Sequence, residues 1–244
     1  LTVRINYLLL SNYYNNSKLV FNGMGINEVI NRKLAANGLF VRGSLCCPPE
    51  DLGPGGSATL ILIGFAGRGM WPIFQKTRKA EDDPLDNWTR RIVDPLAHEL
   101  AALALYPFDG PPWYPFQRWA MKAESLFQSP IGPLLHPEYG LWHGYRAALA
   151  FREALPVAEP AKGRDLCAGC QASPCLAACP AGVFAGGAYD VAKCANHLKD
   201  WNNSCLSAGC LARRACPVGA DYAYGSEQAS FHTRAFLNAM DRFL

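Results

Sequence analysis

Eight of the ten cysteines in this 244-residue chain fall within the fifty residues from Cys167 to Cys216. No other feature restricts the fold so strongly, because thiols packed this densely along a chain either cross-link or converge on metal. The stretch reads Cys167-Ala168-Gly169-Cys170, then Cys175-Leu176-Ala177-Ala178-Cys179-Pro180, then Cys194, Cys205, and Cys210-Leu211-Ala212-Arg213-Arg214-Ala215-Cys216-Pro217. Within it Cys-Pro occurs twice, and the run from Cys175 to Gly182 is echoed from Cys210 to Gly219. Two similar half-sites, each closed by Cys-Pro, point to two similar metal clusters.

A [4Fe–4S] cubane needs four thiolates. In two-cluster ferredoxins a tight loop supplies three, and the cysteine before proline ligates the other cluster. Proline there removes a backbone N–H and turns the chain aside, which lets the sulfur reach across. On this scheme one cluster takes Cys167, Cys170, Cys175 and Cys216, and the other takes Cys179, Cys194, Cys205 and Cys210, with none of the eight left over. The spacing departs from the bacterial ferredoxin run: the first half is C-x2-C-x4-C-x3-C-P, and ten, four and five residues separate the later cysteines. Zinc also uses four thiolates, often from two C-x2-C pairs. Only one such pair exists here, and zinc gives no reason for the repeated Cys-Pro. Disulfides suit small secreted domains, but the apolar run Tyr7-Leu8-Leu9-Leu10 is too short for a signal core. Iron–sulfur is therefore the leading reading, a zinc-stabilised binding module the fallback, and the cytoplasm the expected location.

Composition narrows the function further. Half the residues are hydrophobic and 18% charged, as in an ordinary globule. A net charge of +3, with no Lys/Arg run longer than two, does not point to nucleic acid. No stretch reaches eighteen apolar residues, so no membrane span is expected. The expected partners are a redox protein and a small-molecule substrate. Lys193, Lys199, Arg213 and Arg214 flank the cysteines and read either as the natural docking surface for an acidic partner or as merely solvated charges.

Along the chain, residues 1–25 are Asn- and Tyr-rich and read as an accessory or disordered extension, with an edge strand from Val3 to Leu10 as the alternative. Val29, Ile30, Leu34 and Ala35 recur at helical spacing, with Gly38 as the stop. Cys46 and Cys47 are adjacent and distant from the other cysteines, which marks them as structural or incidental. Ala58 to Phe65 is a near-continuous apolar run of strand length, read as a central strand buried on both faces. Ala66 to Pro72 is a turn into a helix. Asp86 is placed as the N-cap of a helix through Leu100. Ala104 to Phe108 reads as a short strand, Asp109 to Pro112 as a turn, and Trp113 to Phe127 as a helix with an aromatic face. From Leu134 to Phe151 two strand segments are expected around a turn at Pro137 to Gly140. Pro156 to Gly163 is a linker, and Ser226 starts a last helix that packs back on the front of the chain.

Two family resemblances follow from these residues. The cysteine module, with Tyr189-Asp190-Val191 leading into Cys194, resembles the tail of epoxyqueuosine reductase, which reduces a modified tRNA base with cobalamin and two [4Fe–4S] clusters. The segment His136-Pro137-Glu138-Tyr139-Gly140-Leu141-Trp142, running on to Tyr145-Arg146, is similar to the His-Pro-x-aromatic-Gly-x-Trp segment of CblC-type cobalamin-processing proteins. The resemblance spans roughly residues 58–217. It implies an α+β chain: a nitroreductase-like front domain over 26–160, a ferredoxin-like dicluster module of helix and loop over 161–224, and a C-terminal helix over 225–244. It further implies cobalamin or a flavin in the front domain, with Tyr139, Trp142 and His143 binding it, His136 or His143 as cobalt ligand or acid, and Asp109 as a catalytic acid. The plainer reading of each histidine is a buried structural residue. Where epoxyqueuosine reductase carries Gly-x-x-Gly-Lys-Asn, this chain has Ser129-Pro130-Ile131-Gly132-Pro133-Leu134, so a full tRNA reductase is not expected. Two functions remain in play: an iron–sulfur electron-transfer protein, and a cobalamin- or flavin-dependent reductase fed by the two clusters.

Overall fold

The computed structural model describes residues 24–51, 53–200 and 202–243. Of the extension expected over 1–25, everything before Met24 lies outside the described residues, including the alternative strand at Val3 to Leu10.

The strands are β1 (Phe40–Cys46), β2 (Thr59–Ala66), β3 (Leu103–Leu105), β4 (Phe127–Gln128), β5 (Leu134–Leu135) and β6 (His143–Phe151). The helices are α1 (Ile26–Leu34), α2 (Met70–Thr77), α3 (Pro84–Glu99), α4 (Phe116–Ala123), α5 (Pro174–Ala177), α6 (Val191–Leu198), α7 (Ser204–Ala208), α8 (Leu211–Arg214) and α9 (Ser226–Phe243). The mixture is α+β. An antiparallel sheet of order β1-β2-β6-β3 forms the front of the chain, and β4 and β5 pair separately. No described helix is long and apolar enough to cross a membrane.

The apolar run read as a central strand is β2, buried along nearly its whole length. Its alternate side chains serve two different cores. Ile61, Ile63 and Phe65 join α1, α2, α3 and α9 on one face. Leu60 and Leu62 join Phe116, Ala120 and Ala123 of α4 on the other. With helices on both faces neither set of side chains can be polar, so alternation disappears from the sequence. Each large apolar side chain withdrawn from water contributes about 1.5–3 kcal/mol.

Several expected boundaries shift. Helix α3 begins at Pro84, so Asp86 lies in its first turn instead of capping it, and its carboxylate accepts from Arg146. Pro at the first helical position already satisfies the start of a helix. Helix α4 is shorter than the Trp113–Phe127 expectation. Pro115 precedes it and Glu124 leaves helical geometry. Trp113 is consequently 53% exposed and does not belong to the aromatic core face. The two strand segments flanking Pro137 to Gly140 do not pair along their length. They touch through a single bridge at His136 and Gly140, β5 pairs with β4, and β6 pairs with β2 and β3.

Helix α9 begins at Ser226 and ties the cysteine region to the sheet. Phe231 packs 5.2 Å from Trp71 and 5.5 Å from Phe74, and His232 stacks on Phe65. On the other side the Ser230 hydroxyl donates to the Leu206 carbonyl of α7 at 2.8 Å.

Candidate metal centre

The cysteine region contains no strand among its described residues. Short helices and turns present the thiols. Cys175 sits in the first turn of α5, and Cys194 lies on α6, whose start is capped by the Asp190 carboxylate accepting from the Lys193 N–H at 2.9 Å. The Asn203 side-chain oxygen accepts from the N–H of Cys205 at 2.7 Å and of Leu206 at 3.3 Å, which starts α7. Cys210 immediately precedes α8, and Cys216 follows it. The internal echo has a backbone counterpart. Gly182 and Gly219, each the third residue after a repeated cysteine, both take left-handed φ, at 57° and 68°.

The thiols act on one another in two separate sets. Burial pushes the Cys167 thiol up, and Asp165, Cys216, Cys175 and Cys170 push it further. Burial also raises Cys175. Its own N–H and that of Leu176 oppose the rise, while Cys216 and Cys170 add to it. In the other set burial raises Cys194, Tyr189 opposes, and Cys210, Cys179 and Cys205 add. Burial raises Cys205, the Leu211 N–H opposes, and Cys210 and Cys179 add. Cys216 thus sits with Cys167, Cys170 and Cys175, and Cys179 with Cys194, Cys205 and Cys210. Cys167, Cys175, Cys194 and Cys205 thus resist ionisation, and a bound positive core that takes them as thiolates would release their protons.

The surroundings of the two sets meet at Cys179. Cys167, Cys175, Cys179 and Cys216 pack among Ile131, Leu135, Leu141 and Ala212. Cys179, Cys194, Cys205 and Cys210 line a cavity of about 640 Å³, together with Trp142 and with His232 and Phe236 of α9. Among the described residues no Asp or Glu lines this cavity, and the basic groups that do are Arg213, His197 and His232. Burial, then Arg213 and Arg146, drive His232 down to about 3, so its ring is neutral. Among the described residues no three His, Cys, Asp or Glu side chains lie close enough to share one metal ion. A tetrahedral zinc at ~2.3 Å from each sulfur would need its sulfurs about 4 Å apart.

Tyr139, His136 and His143 lie together, His136 being 4.2 Å from Tyr139 and 5.9 Å from His143, whereas Trp142 and Asp109 stand apart from them. Trp142 is buried and lines the cavity. His143 places Nε2 on the Leu134 carbonyl at 3.0 Å, and burial, then Arg42, drive it down to about 3. Tyr139 stacks on His136 at 4.2 Å and meets Tyr222 edge-on. The His136 Nδ1 accepts from the N–H groups of Glu138 and Tyr139, both at 3.1 Å. Asp109 forms an ion pair with Arg90 at a partly exposed position and does not line the cavity.

Arg213 and Arg214 point inward. The Arg213 guanidinium donates to the Leu141 carbonyl and lies 4.7 Å from the Trp142 ring and 4.6 Å from that of Tyr224. Arg214 donates to the carbonyls of Ala208 and Tyr224. Arg213 therefore ties the cysteine region to the segment just before β6, and Arg214 bonds within the cysteine region, instead of both facing an acidic partner. Lys193 is exposed, and Lys199 pairs with Asp241 at 3.4 Å.

Sequence reasoning passed over two arrangements. Arg42 and Glu124 form a buried ion pair at 2.8 Å, their side chains 1% and 8% exposed, with the Tyr145 hydroxyl donating to the same carboxylate at 2.7 Å. The partners stand 82 residues apart and carry no local signal. Asp165, by contrast, accepts from the N–H groups of Cys167 and Ala168 at 2.9 and 3.2 Å. That is an Asx turn, and Asp two residues before the first cysteine was the available cue.

No protein-family model and no curated protein matches the chain. Among solved structures, the C. elegans B12-trafficking protein CblC, a homologue of human MMACHC, aligns over 86% of this chain and 90% of its own, with 15% identity and a TM-score of 0.52. Epoxyqueuosine reductase, solved with an epoxyqueuosine-modified tRNA-Tyr stem loop, aligns over 86% of this chain and 67% of its own, with 14% identity and a TM-score of 0.49. At such identity the likeness to CblC is one of fold.

Proposed function

We propose that this chain is an iron–sulfur redox protein whose two thiol quartets each hold a [4Fe–4S] cluster and whose front domain carries the cobalamin, or a flavin, that the clusters supply with electrons. In this reading the front domain is nitroreductase-like and the cysteine region a ferredoxin-like dicluster module. What supports it is the disposition of the thiols: Cys167 is acted on by Cys216, Cys175 and Cys170, Cys194 by Cys210, Cys179 and Cys205, and the latter four line a cavity together with Trp142. The fold shared with a B12-trafficking protein supports the cobalamin part.

The donor set fits the clusters. Each quartet supplies four sulfurs, and no carboxylate or imidazole is needed. A bound [4Fe–4S] cluster contributes a one-electron couple whose potential follows the hydrogen bonds, charge and exposure around it. Each candidate histidine has one ring nitrogen engaged by the backbone, His143 through Nε2 and His136 through Nδ1, which leaves the other nitrogen as the one that could meet a metal. What the chain itself does is hold the thiols at fixed spacing, fasten the cysteine region to the segment just before β6 through Arg213, and wall the cavity with apolar groups and neutral imidazole.

The second reading is an electron-transfer protein whose front domain only docks the module. It is favoured by the lack, among the described residues, of a carboxylic acid lining the cavity to deliver protons. Anaerobically purified protein separates the readings. Broad absorption in the blue that bleaches with dithionite, with about eight irons per chain, is expected for two cubanes. Tight cobalamin or flavin binding by that loaded protein supports the reductase. Its absence leaves the electron carrier, and a colourless protein that keeps zinc and resists iron–sulfide reconstitution overturns both.

A further inference from the structure

We infer that His136 seats the cysteine region on the front domain: its Nδ1 fixes the turn from Pro137 to Gly140, and that turn holds the loop that follows Cys216. The seating stands on geometry; its consequence for iron at Cys216 rests on the two-cluster reading above.

The backbone of the turn is satisfied by a single residue. Pro137 has no N–H to place. The N–H groups of Glu138 and Tyr139 both donate to His136 Nδ1 at 3.1 Å. The Gly140 N–H donates to the His136 carbonyl at 2.9 Å, and the His136 N–H donates back to the Gly140 carbonyl at 2.9 Å. A ring nitrogen that accepts two N–H groups carries no proton, so the proton of the neutral ring is on Nε2. Burial, then Arg42, hold the ring down at about 4, and Nδ1 keeps its lone pair at neutral pH. The buried Arg42–Glu124 pair steadies this arrangement. His136 Nε2 stands 3.7 Å from Glu124, and the Arg42 guanidinium lies 5.1 Å from the Tyr139 ring that stacks on His136.

Each residue oriented by this turn meets the cysteine region. Glu138 accepts from the Tyr222 hydroxyl at 2.5 Å, and Tyr139 meets the Tyr222 ring edge-on at 4.9 Å. A Cβ on Gly219 would stand 2.3 Å from the Tyr139 carbonyl carbon, so the two backbones touch. Leu141, next along, accepts from Arg213 Nε at 2.9 Å and packs in one cluster with Cys216. Without an acceptor at Nδ1 the part-buried Tyr139 N–H is left unpaired, and an unpaired buried donor is costly enough to open the turn. The loop after Cys216 then loses its seat. His136 is a positioning residue, acting through the turn.

The test is hydrogen exchange, read by mass spectrometry, on the cluster-loaded full chain of wild type, His136→Asn and His136→Gln. The Asn side-chain oxygen falls where Nδ1 stands, whereas the Gln amide reaches out to the place of Nε2. His136→Gln should exchange about tenfold faster over both 136–142 and 213–224, the factor that corresponds to ~1.4 kcal/mol. His136→Asn should stay close to wild type, and β2 should not change in either. Faster exchange confined to 136–142, or equal effects of Asn and Gln, defeats the inference. Where His136→Gln does not fold, nitrogen-15 spectra of the histidine rings in wild type decide instead, with the His136 signal identified by its loss in His136→Asn. An Nε2–H ring is expected, and an Nδ1–H ring defeats the inference. Iron separates this from the cluster reading. His136→Gln should release half its iron to a chelator about tenfold faster than wild type and the other half at the wild-type rate; equal release from both halves defeats the link to Cys216. Wild type without iron defeats the cluster reading, and the exchange comparison then still decides the role of His136.

Discussion

Gly140 and Gly182 allow the docking of the cysteine module to be measured against an internal control. Both are left-handed, at φ 56° and 57°. They differ in what a side chain would meet. A Cβ at Gly140 would stand 1.8 Å from the Val218 carbonyl oxygen and 2.6 Å from its carbon, because here the turn of the front domain crosses the second Cys-Pro loop backbone to backbone. A Cβ at Gly182 would meet nothing within 4 Å. Placing alanine in left-handed geometry costs roughly 1–2 kcal/mol at either site. At Gly140 the overlap is with main chain, which cannot rotate away, and forcing such contacts adds about 1–3 kcal/mol. Gly140→Ala should therefore melt ~2–12 °C below Gly182→Ala in a chain of this length. Thermal unfolding of the loaded proteins at one scan rate gives the comparison, and limited proteolysis in the linker at 156–163 reports whether the module has lifted off. Equal midpoints with equal linker protection would refute the claim that this backbone contact holds the module to the sheet.

Three other outcomes are expected. Cys216→Ala should lose the iron of one cluster and keep the other, so iron analysis should fall from about eight to about four per chain; full retention would sink the assignment of Cys216 to the first quartet. Arg42→Met leaves Glu124 buried without its cation and should destabilise the fold by about 3–5 kcal/mol in urea unfolding, whereas a change under 1 kcal/mol would mean the pair is solvated. His143 is driven from 6.5 down to about 3 by burial, then by Arg42 and neighbouring groups. The unfolded chain takes up its proton first, so this contribution is complete above pH 6.5 and is lost as pH falls toward 3. The urea midpoint of His143→Phe should accordingly fall less than that of wild type between pH 7.5 and 5.5, and parallel curves would place the acid sensitivity elsewhere.

Much of the local architecture was legible in the residues. The stop of α1 at Gly38, the burial of β2 on both faces and the start of α9 at Ser226 follow from apolar period and punctuation, which are properties of neighbouring residues. Boundaries moved where proline decided them. Pro84 opens α3 ahead of Asp86, and Pro115 delays α4, which leaves Trp113 outside the aromatic core. The pairing of β5 with β4 was not legible, because two-residue strands carry no alternation to read.

The sequence alone determined which thiols are present and how they are spaced, because cysteine spacing and the repeated Cys-Pro are covalent facts. Tertiary structure decided what stands around them. Arg42 and Glu124 find each other across 82 residues, Arg213 turns inward to Leu141 instead of outward to a partner, and Asp109 remains apart from the cavity. Only the packing of α9 across both regions places Trp142, His232 and the second quartet around one space. These are contacts between distant segments, set by shape and buried charge, and no pattern of neighbouring residues encodes them.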